Sequence, residues 1–254
     1  MHRLLDDYAH ENGLRDVSPK LKLAIGAFSI IACIASPTPA VPLAVSTCLS
    51  AAVIALARIP WRMYIGLTAI PLSFALLSAT VVALLSPGEP LMSIGALRLS
   101  HEGLWLGVLL VSRTIGGASS LFFIALTTPM SEIFAVLRSM GAPEALVELS
   151  MLIYRYIFVL LEEAMMVHSA QEMRMGYSSV RRSISSFAML ASVLFIRAWE
   201  RGEKLMLAMD SRCYNGMMPL GECNALRTHH LVVSVIYILS ITALLLVVIR
   251  GGSA

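Results

Sequence analysis

Apolar residues dominate five stretches of the chain, Leu21 to Ser36, Val41 to Ala57, Met63 to Ser86, Leu104 to Leu126 and Leu231 to Ile249. A hydrocarbon layer about 30 Å thick is crossed by about 20 helical residues, so each stretch predicts a membrane-spanning helix. The first two are joined by Pro37-Thr38-Pro39, a connection short enough to require an antiparallel hairpin. The third stops at Ser86-Pro87-Gly88. Beyond it, alternating Met92, Ile94, Leu97 and Leu99 around Gly95 predict a small hairpin or a surface loop.

Between the fourth and fifth stretches, from about Thr128 to Arg227, apolar residues recur with helical spacing among charges. Thr128-Pro129 opens a short helix, Thr as N-cap and Pro at the first helical position, that stops at Gly141. Pro143 opens a second that runs to Met173; it begins with Glu144 and Glu148 and finishes with Arg174, as the helix dipole favours. A third covers about Ser183 to Tyr214. On it Ile184, Phe187, Ala188, Ala191, Leu194, Phe195, Ala198, Leu205 and Met209 fall within an arc of about 120°, while Arg197, Glu200, Glu203 and Lys204 lie off it. Such helices lie along a membrane face or against other helices. The pattern predicts an all-α membrane protein with about five transmembrane helices plus long amphipathic cytoplasmic helices. Its divisions are 1–127, 128–228 and 229–254.

Composition agrees. With 254 residues, 57% hydrophobic and 14% charged, at a mean hydropathy of +0.79, the chain holds more apolar surface than one soluble core of this size buries. The first 22 residues are charged (Asp6, Asp7, Glu11, Arg15, Asp16, Lys20, Lys22), so no cleavable signal is visible and the amino terminus is expected in the cytoplasm. The Arg58-Ile59-Pro60-Trp61-Arg62 turn and the 128–227 insert are then cytoplasmic too. Of the 19 Lys and Arg, only Arg98, Arg113 and Arg250 fall elsewhere, the bias expected of a multi-pass protein of the cell membrane. The net charge of +3 therefore records topology, and no nucleic-acid motif accompanies it. Cys33, Cys48, Cys213 and Cys223 form no disulfide framework.

Few residues suggest chemistry. Arg113 lies within the fourth span, where a charge faces the bundle interior or water. It reads as a paired or snorkelling residue in tight packing, or as part of a polar path. Gly116 and Gly117 beside it let another helix approach. No phosphate-binding loop, His-Glu-x-x-His helix or Gly-x-Ser-x-Gly elbow is present, so the chain is expected to be neither an ATPase nor a hydrolase. Cys213, Cys223, His229 and His230 match no regular zinc spacing, and His2 is a single imidazole. The Met165-Met166, Met173, Met175, Met206, Met209 and Met217-Met218 cluster reads as a docking surface that repacks, in preference to soft-metal ligation. Two segments remain, Met173-Arg174-Met175-Gly176 and Ser211-Arg212-Cys213-Tyr214-Asn215-Gly216, each at a helix end. Their arginines offer a planar, permanently charged fork of donors for a partner's carboxylates or helix C-termini; the plainer reading is helix capping.

The opening Asp7-Tyr8-Ala9, Asn12-Gly13-Leu14-Arg15 and Pro19-Lys20-Leu21-Lys22-Leu23, with the two arginine segments, resembles the transmembrane T component of energy-coupling-factor transporters, in particular the cobalt-type CbiQ branch. That family has long cytoplasmic coupling helices ending in two Ala-Arg-Gly-like motifs. They are matched here at Met173-Arg174-Met175 and Ser211-Arg212-Cys213, of which only the arginine is unchanged.

The resemblance implies that Arg174 and Arg212 sit in grooves of two cytoplasmic ATP-binding-cassette subunits, with Met173, Met175, Gly176, Ser211, Cys213 and Gly216 as supporting residues. ATP with Mg belongs to those partners and no cofactor to this chain. The membrane helices would hold a CbiM-like substrate-capture subunit, and the cargo would be a divalent transition metal, cobalt before nickel. In the cobalt and nickel systems of this family the ion is held by the partner's amino-terminal His; His2 here precedes Arg3-Leu4-Leu5, a different sequence, and does not inherit that role. The rival class is a self-contained secondary transporter or channel, which would carry inverted repeats and midplane polar groups. An intramembrane hydrolase would need a buried nucleophile and base that the sequence does not offer.

Overall fold

In hydrocarbon every backbone polar group must be satisfied within the protein, which a helix does by itself. The computed structural model describes residues 12–14, 17–86, 90–94, 97–214 and 228–251, and each of the five apolar stretches is helical. Helix α1 is Pro19–Ala35 and α2 is Ala40–Ala51, prolonged by one π turn, Ala52–Leu56. Helix α3 is Trp61–Leu85. Strands β1 (Pro90–Ile94) and β2 (Leu97–Ser100) form an antiparallel hairpin with Ile94 opposite Leu97, one of the two alternatives the alternation allowed. Then come α4 (His101–Thr127), α5 (Met130–Ser139), α6 (Glu144–Met173), α7 (Val180–Asp210) and α8 (Thr228–Gly251). Residues Met1-His2, Asp7-Tyr8-Ala9, Arg15, Pro87-Gly88, Gly95, Asn215-Gly216, Met217-Met218 and Cys223 lie outside the described residues.

The chain forms two units, Met1–Ile133 with Cys223–Ala254, and Phe134–Glu222. In the first, α4 packs against α1, α2 and α3. Val41, Val45 and Leu49 of α2, Val53 of its π turn and Leu126 of α4 belong to one buried core. Gly116 sets the spacing: a Cβ there would stand 2.7 Å from the Cys33 sulfur and 2.9 Å from the Pro42 carbonyl oxygen. Gly117, about 100° further round the helix, has nothing within 4 Å of such an atom. Only one of the two glycines, then, lies at a close contact.

Arg113 donates to the Ser36 carbonyl at 2.6 Å, where α1 ends. The guanidinium thus satisfies a carbonyl left over at a helix C-terminus, the paired alternative of the two open for this residue. Hydroxyl pairs tie further helices, Ser50 to Tyr64 and Ser29 to Tyr237, each at 2.8 Å.

The cytoplasmic end expected for α4 is held differently from the capping the sequence suggested. Thr128 completes α4 by donating its amide to Ile124 at 3.0 Å, and its buried hydroxyl has no hydrogen-bond partner among the described residues. Pro129 stands before the helix rather than inside it; its carbonyl accepts from Glu132 and Ile133 to open α5. What closes α4 is Lys22, whose ammonium donates to the Thr127 carbonyl at 2.9 Å, and Asn12, whose amide donates to Thr127 at 3.2 Å and Leu126 at 3.4 Å. Lys22 is only 1% exposed.

Among the described residues four helices, α3, α4, α7 and α8, are long and apolar enough to cross a membrane; α1 has 17 residues, and α2 has 12 before its five-residue π turn. Helix α7 differs from the others in its charge. Its run free of Asp, Glu, Lys and Arg, from Ser183 to Ile196, is 14 residues, about 21 Å. That is short of the ~30 Å hydrocarbon layer. Arg197, Glu200, Arg201, Glu203 and Lys204 follow at once, the composition of a helix lying in an interface.

Gly116→Ala is expected to lower the stability of the detergent-solubilised chain by about 1–3 kcal/mol, the cost of overpacking a close contact. Gly117→Ala should leave it unchanged or raise it by up to about 1 kcal/mol through helix propensity. Paired thermal unfolding curves check both.

Candidate functional site

Long helices leave carbonyls unsatisfied at their ends, and α6 and α7 dispose of theirs identically. At the end of α6 the Gly176 amide donates to the Gln171 carbonyl at 2.8 Å and the Met175 amide to Glu172 at 2.9 Å. At the end of α7 the Tyr214 amide donates to Met209 and the Cys213 amide to Asp210, both at 3.1 Å. These are the two bonds of a Schellman motif, with Arg174 and Arg212 each at the half-helical cap position.

The residue after each arginine carries the left-handed turn, with φ of 60° at Met175 and 55° at Cys213. A side chain in that region costs about 1–2 kcal/mol, which glycine avoids. Helix α5 supplies the contrast. It ends with the same two bonds, Ala142 to Leu137 at 3.2 Å and Gly141 to Arg138 at 3.0 Å, and its left-handed residue is Gly141, φ 90°. The Ala-Arg-Gly pattern that the two segments resemble would place glycine at the Met175 and Cys213 positions.

Both arginine side chains are exposed, and neither bonds or ion-pairs with another described residue. Their charge suits the negative end of the helix dipole, yet their donors are unspent. Met173 and Met175 flank the first, 81% and 67% exposed. At the second, Ser211 turns its hydroxyl back onto the Leu207 carbonyl at 2.6 Å and Cys213 is exposed. Gly216 lies outside the described residues.

Each tip is braced against the other helix. A Cβ on Gly176 would meet the Ser186 hydroxyl at 2.7 Å and the Gln171 carbonyl oxygen at 2.9 Å, so its role is close approach. Ser186 donates to the Gly176 carbonyl at 3.0 Å, Gln171 donates to the Ser186 carbonyl at 3.0 Å, and Tyr177 donates to the Gln171 side chain at 2.8 Å. At the far tip the Tyr214 hydroxyl donates to the Glu148 carboxylate at 2.5 Å. That bond pushes the phenol above its ordinary value of 10, with burial and the Glu148 charge adding to it. The sign makes the brace complete at neutral pH; it is lost only as pH rises beyond 10 through the raised value.

Midway, Glu163 accepts from Arg201 at 2.7 Å, with Arg197 at 3.7 Å. Contacts therefore step down α6 as they step up α7, and the pair is an antiparallel hairpin. Its two arginines consequently lie at opposite ends. Helix α6 has 30 residues, which separates the tips by roughly 45 Å at 1.5 Å per residue. Between them Leu149, Ile153, Ile157, Phe187, Phe195 and Trp199 are exposed. Among the described residues no three His, Cys, Asp or Glu converge to hold a metal ion; Cys223 and His2 are outside them.

The sequence pattern puts both arginines at helix ends, as the structure does, but gives no sign of the braces. Tyr214 and Glu148 are 66 positions apart, and only the antiparallel register of two predicted helices could have suggested their meeting. The left-handed turns gave no composition signal, because neither is glycine.

The chain thus combines helices long and apolar enough to cross a membrane with an arginine-tipped helical hairpin. Residues 10–221 match the family described as CbiQ, cobalt transport protein, and the chain belongs to that family. It is 45% identical over 86% of its length to a fused cobalt transport protein CbiMQ of Methanocorpusculum labreanum, of which the match spans 38%. It is 30% identical to the cobalt transport protein CbiQ of Rhodobacter capsulatus, over 64% of each chain. It is 31% identical to the energy-coupling factor transporter transmembrane protein EcfT of Thermanaerovibrio acidaminovorans, over 56% of this chain and 59% of that one. These relatives agree with the T-component reading of the sequence.

Met175→Gly and Cys213→Gly should each stabilise their tip by about 0.5–1 kcal/mol, the left-handed penalty less the entropy of glycine. Slower amide hydrogen exchange at residues 175–177 and 213–214, by about two- to fivefold, is the expected result. Gly176→Ala should act in the opposite direction.

Proposed function

We propose that this chain is the transmembrane coupling subunit of an energy-coupling-factor importer, with Arg174 and Arg212 each seated in one of two cytoplasmic ATP-binding-cassette subunits. The single observation that carries the reading is the pair of identical helix caps that present unspent guanidinium groups at opposite ends of one hairpin. Two equivalent anchors about 45 Å apart suit two copies of one kind of partner. A helix end in a groove, fixed by an arginine, is a common mode of recognition.

The amino terminus and the hairpin face the cytoplasm in this reading, since that orientation keeps 16 of the 19 Lys and Arg on one side. ATP binding draws the ATPase subunits together, the tips follow, and the exposed apolar faces of α6 and α7 tilt or release a substrate-capture subunit in the membrane. The chain contributes no catalytic group and no bound cofactor; ATP and Mg act on its partners. A relative named as a fused CbiMQ supports a CbiM-like capture subunit, and the family description supports cobalt as cargo, with nickel the near alternative.

Purification of the tagged chain in mild detergent should recover ATPase subunits with it. Arg174→Ala and Arg212→Ala are each expected to weaken that association by about 2 kcal/mol, roughly 30-fold. The double variant should abolish divalent-metal uptake while still inserting in the membrane. Normal uptake by the double variant would remove both arginines from the mechanism.

A further inference from the structure

The chain leaves its membrane unit at the end of α4, through Thr127, Thr128, Pro129 and the first turn of α5. Such a junction is a natural place to bend. Proline has no amide with which to continue the α4 ladder and fixes φ, and Thr128 leaves its buried hydroxyl without a hydrogen bond among the described residues. A lever attached through a free hinge would move without turning anything behind it.

The structure places a lysine across this junction. Lys22 comes from the first turns of α1, donates to the Thr127 carbonyl at 2.9 Å and stands 3.9 Å from the Glu132 carboxylate on α5. It therefore hydrogen-bonds the last residue of one helix and faces, across 3.9 Å and without a hydrogen bond, a carboxylate in the first turn of the next. Asn12 reinforces the α4 side through Thr127 and Leu126, and its own side-chain oxygen accepts from the Leu14 amide at 3.0 Å. The surrounding residues are closed to solvent: Leu126 and Thr127 are wholly buried and Thr128 is 2% exposed.

We infer that Lys22 and Glu132 form a transmission joint, holding α5 in register with α1 and α4 so that displacement of the hairpin turns the spans instead of flexing the Thr128-Pro129 link. Lys22 is a positioning residue with two separable duties. Capping Thr127 stabilises the fold, and holding Glu132 transmits motion. The joint matters only to a chain that transmits force, so the inference rests on the coupling role proposed above.

The test uses the complete complex in liposomes, measuring metal uptake and ATP hydrolysis on the same preparation. Glu132→Gln keeps the Lys22 cap on Thr127 and removes the α5 carboxylate charge that faces it. Its expected phenotype is a normally assembled complex that hydrolyses ATP at the wild-type rate and imports at least threefold less metal per ATP. Lys22→Met should lower that ratio further, and Lys22→Arg should restore most of it. An unchanged ratio in Glu132→Gln overturns the inference. So does loss of assembly in that variant, which would make the contact purely structural. Failure of the coupling role itself shows elsewhere, as wild-type protein that recovers no ATPase or takes up metal without ATP, and the joint falls with it.

Discussion

Lys22 holds its ammonium 2.9 Å from the Thr127 carbonyl with 1% of its surface exposed, and a buried charge costs several kcal/mol unless protein groups replace the water it loses. The replacement is a helix C-terminus, where carbonyls lack partners and the dipole favours a cation. Each group solves the other's problem. Because the lysine belongs to α1 and the carbonyl to α4, this solution also fixes how two spans meet at one membrane face. Arg113 repeats it at the other end of α1, donating from the middle of α4 to the carbonyl where α1 stops. Two cations thus clamp both ends of α1 to α4, one at its C-terminus and one at its middle, with Gly116 permitting the close approach between them.

The apolar stretches were legible because hydropathy reports the solvent, and lipid leaves the backbone little choice but helix. The ends of α6 were legible from Pro143 and the charged cap, those of α7 less closely. Lys22 was not. In the sequence it is one of several charges around the start of the first apolar stretch and counts toward topology, whereas in the fold it is the largest fully buried side chain among the described residues. Only the return of α4 to the same membrane face gives it a partner, 105 positions away. Thr128-Pro129 misled for a related reason. The local pattern matches an N-cap, but Thr128 was already committed to finishing α4. Gly116 and Gly117 are alike in sequence, and only the neighbouring helix distinguishes them.

The hairpin obeys the opposite logic. Its helices expose most of their apolar residues, and its order comes from polar braces at three levels, Gln171 with Ser186, Glu163 with Arg201, and Tyr214 with Glu148. Directional bonds can set the register of two helices without consuming their apolar faces. Those faces then remain for whatever the hairpin meets, while the spacing of its tips is already decided. A hairpin packed through an apolar core would hold its own register equally well but would have less surface to offer.

The caps show where local stability and presentation diverge. Gly141 ends α5 in the relaxed way, yet the same turn after Arg174 and after Arg212 is made by Met175 and Cys213. Strain of about 1–2 kcal/mol at each persists because surrounding contacts over-determine the turn: Gly176 is locked against Ser186, and Tyr214 against Glu148. The braces come from the opposite helix, so the left-handed turn survives without glycine only while the hairpin is intact. Presentation of each arginine is thereby made conditional on the pairing of α6 with α7. The two tips, far apart in space, depend on one shared element, which is the property a rigid coupler needs and a pair of independent helices would lack.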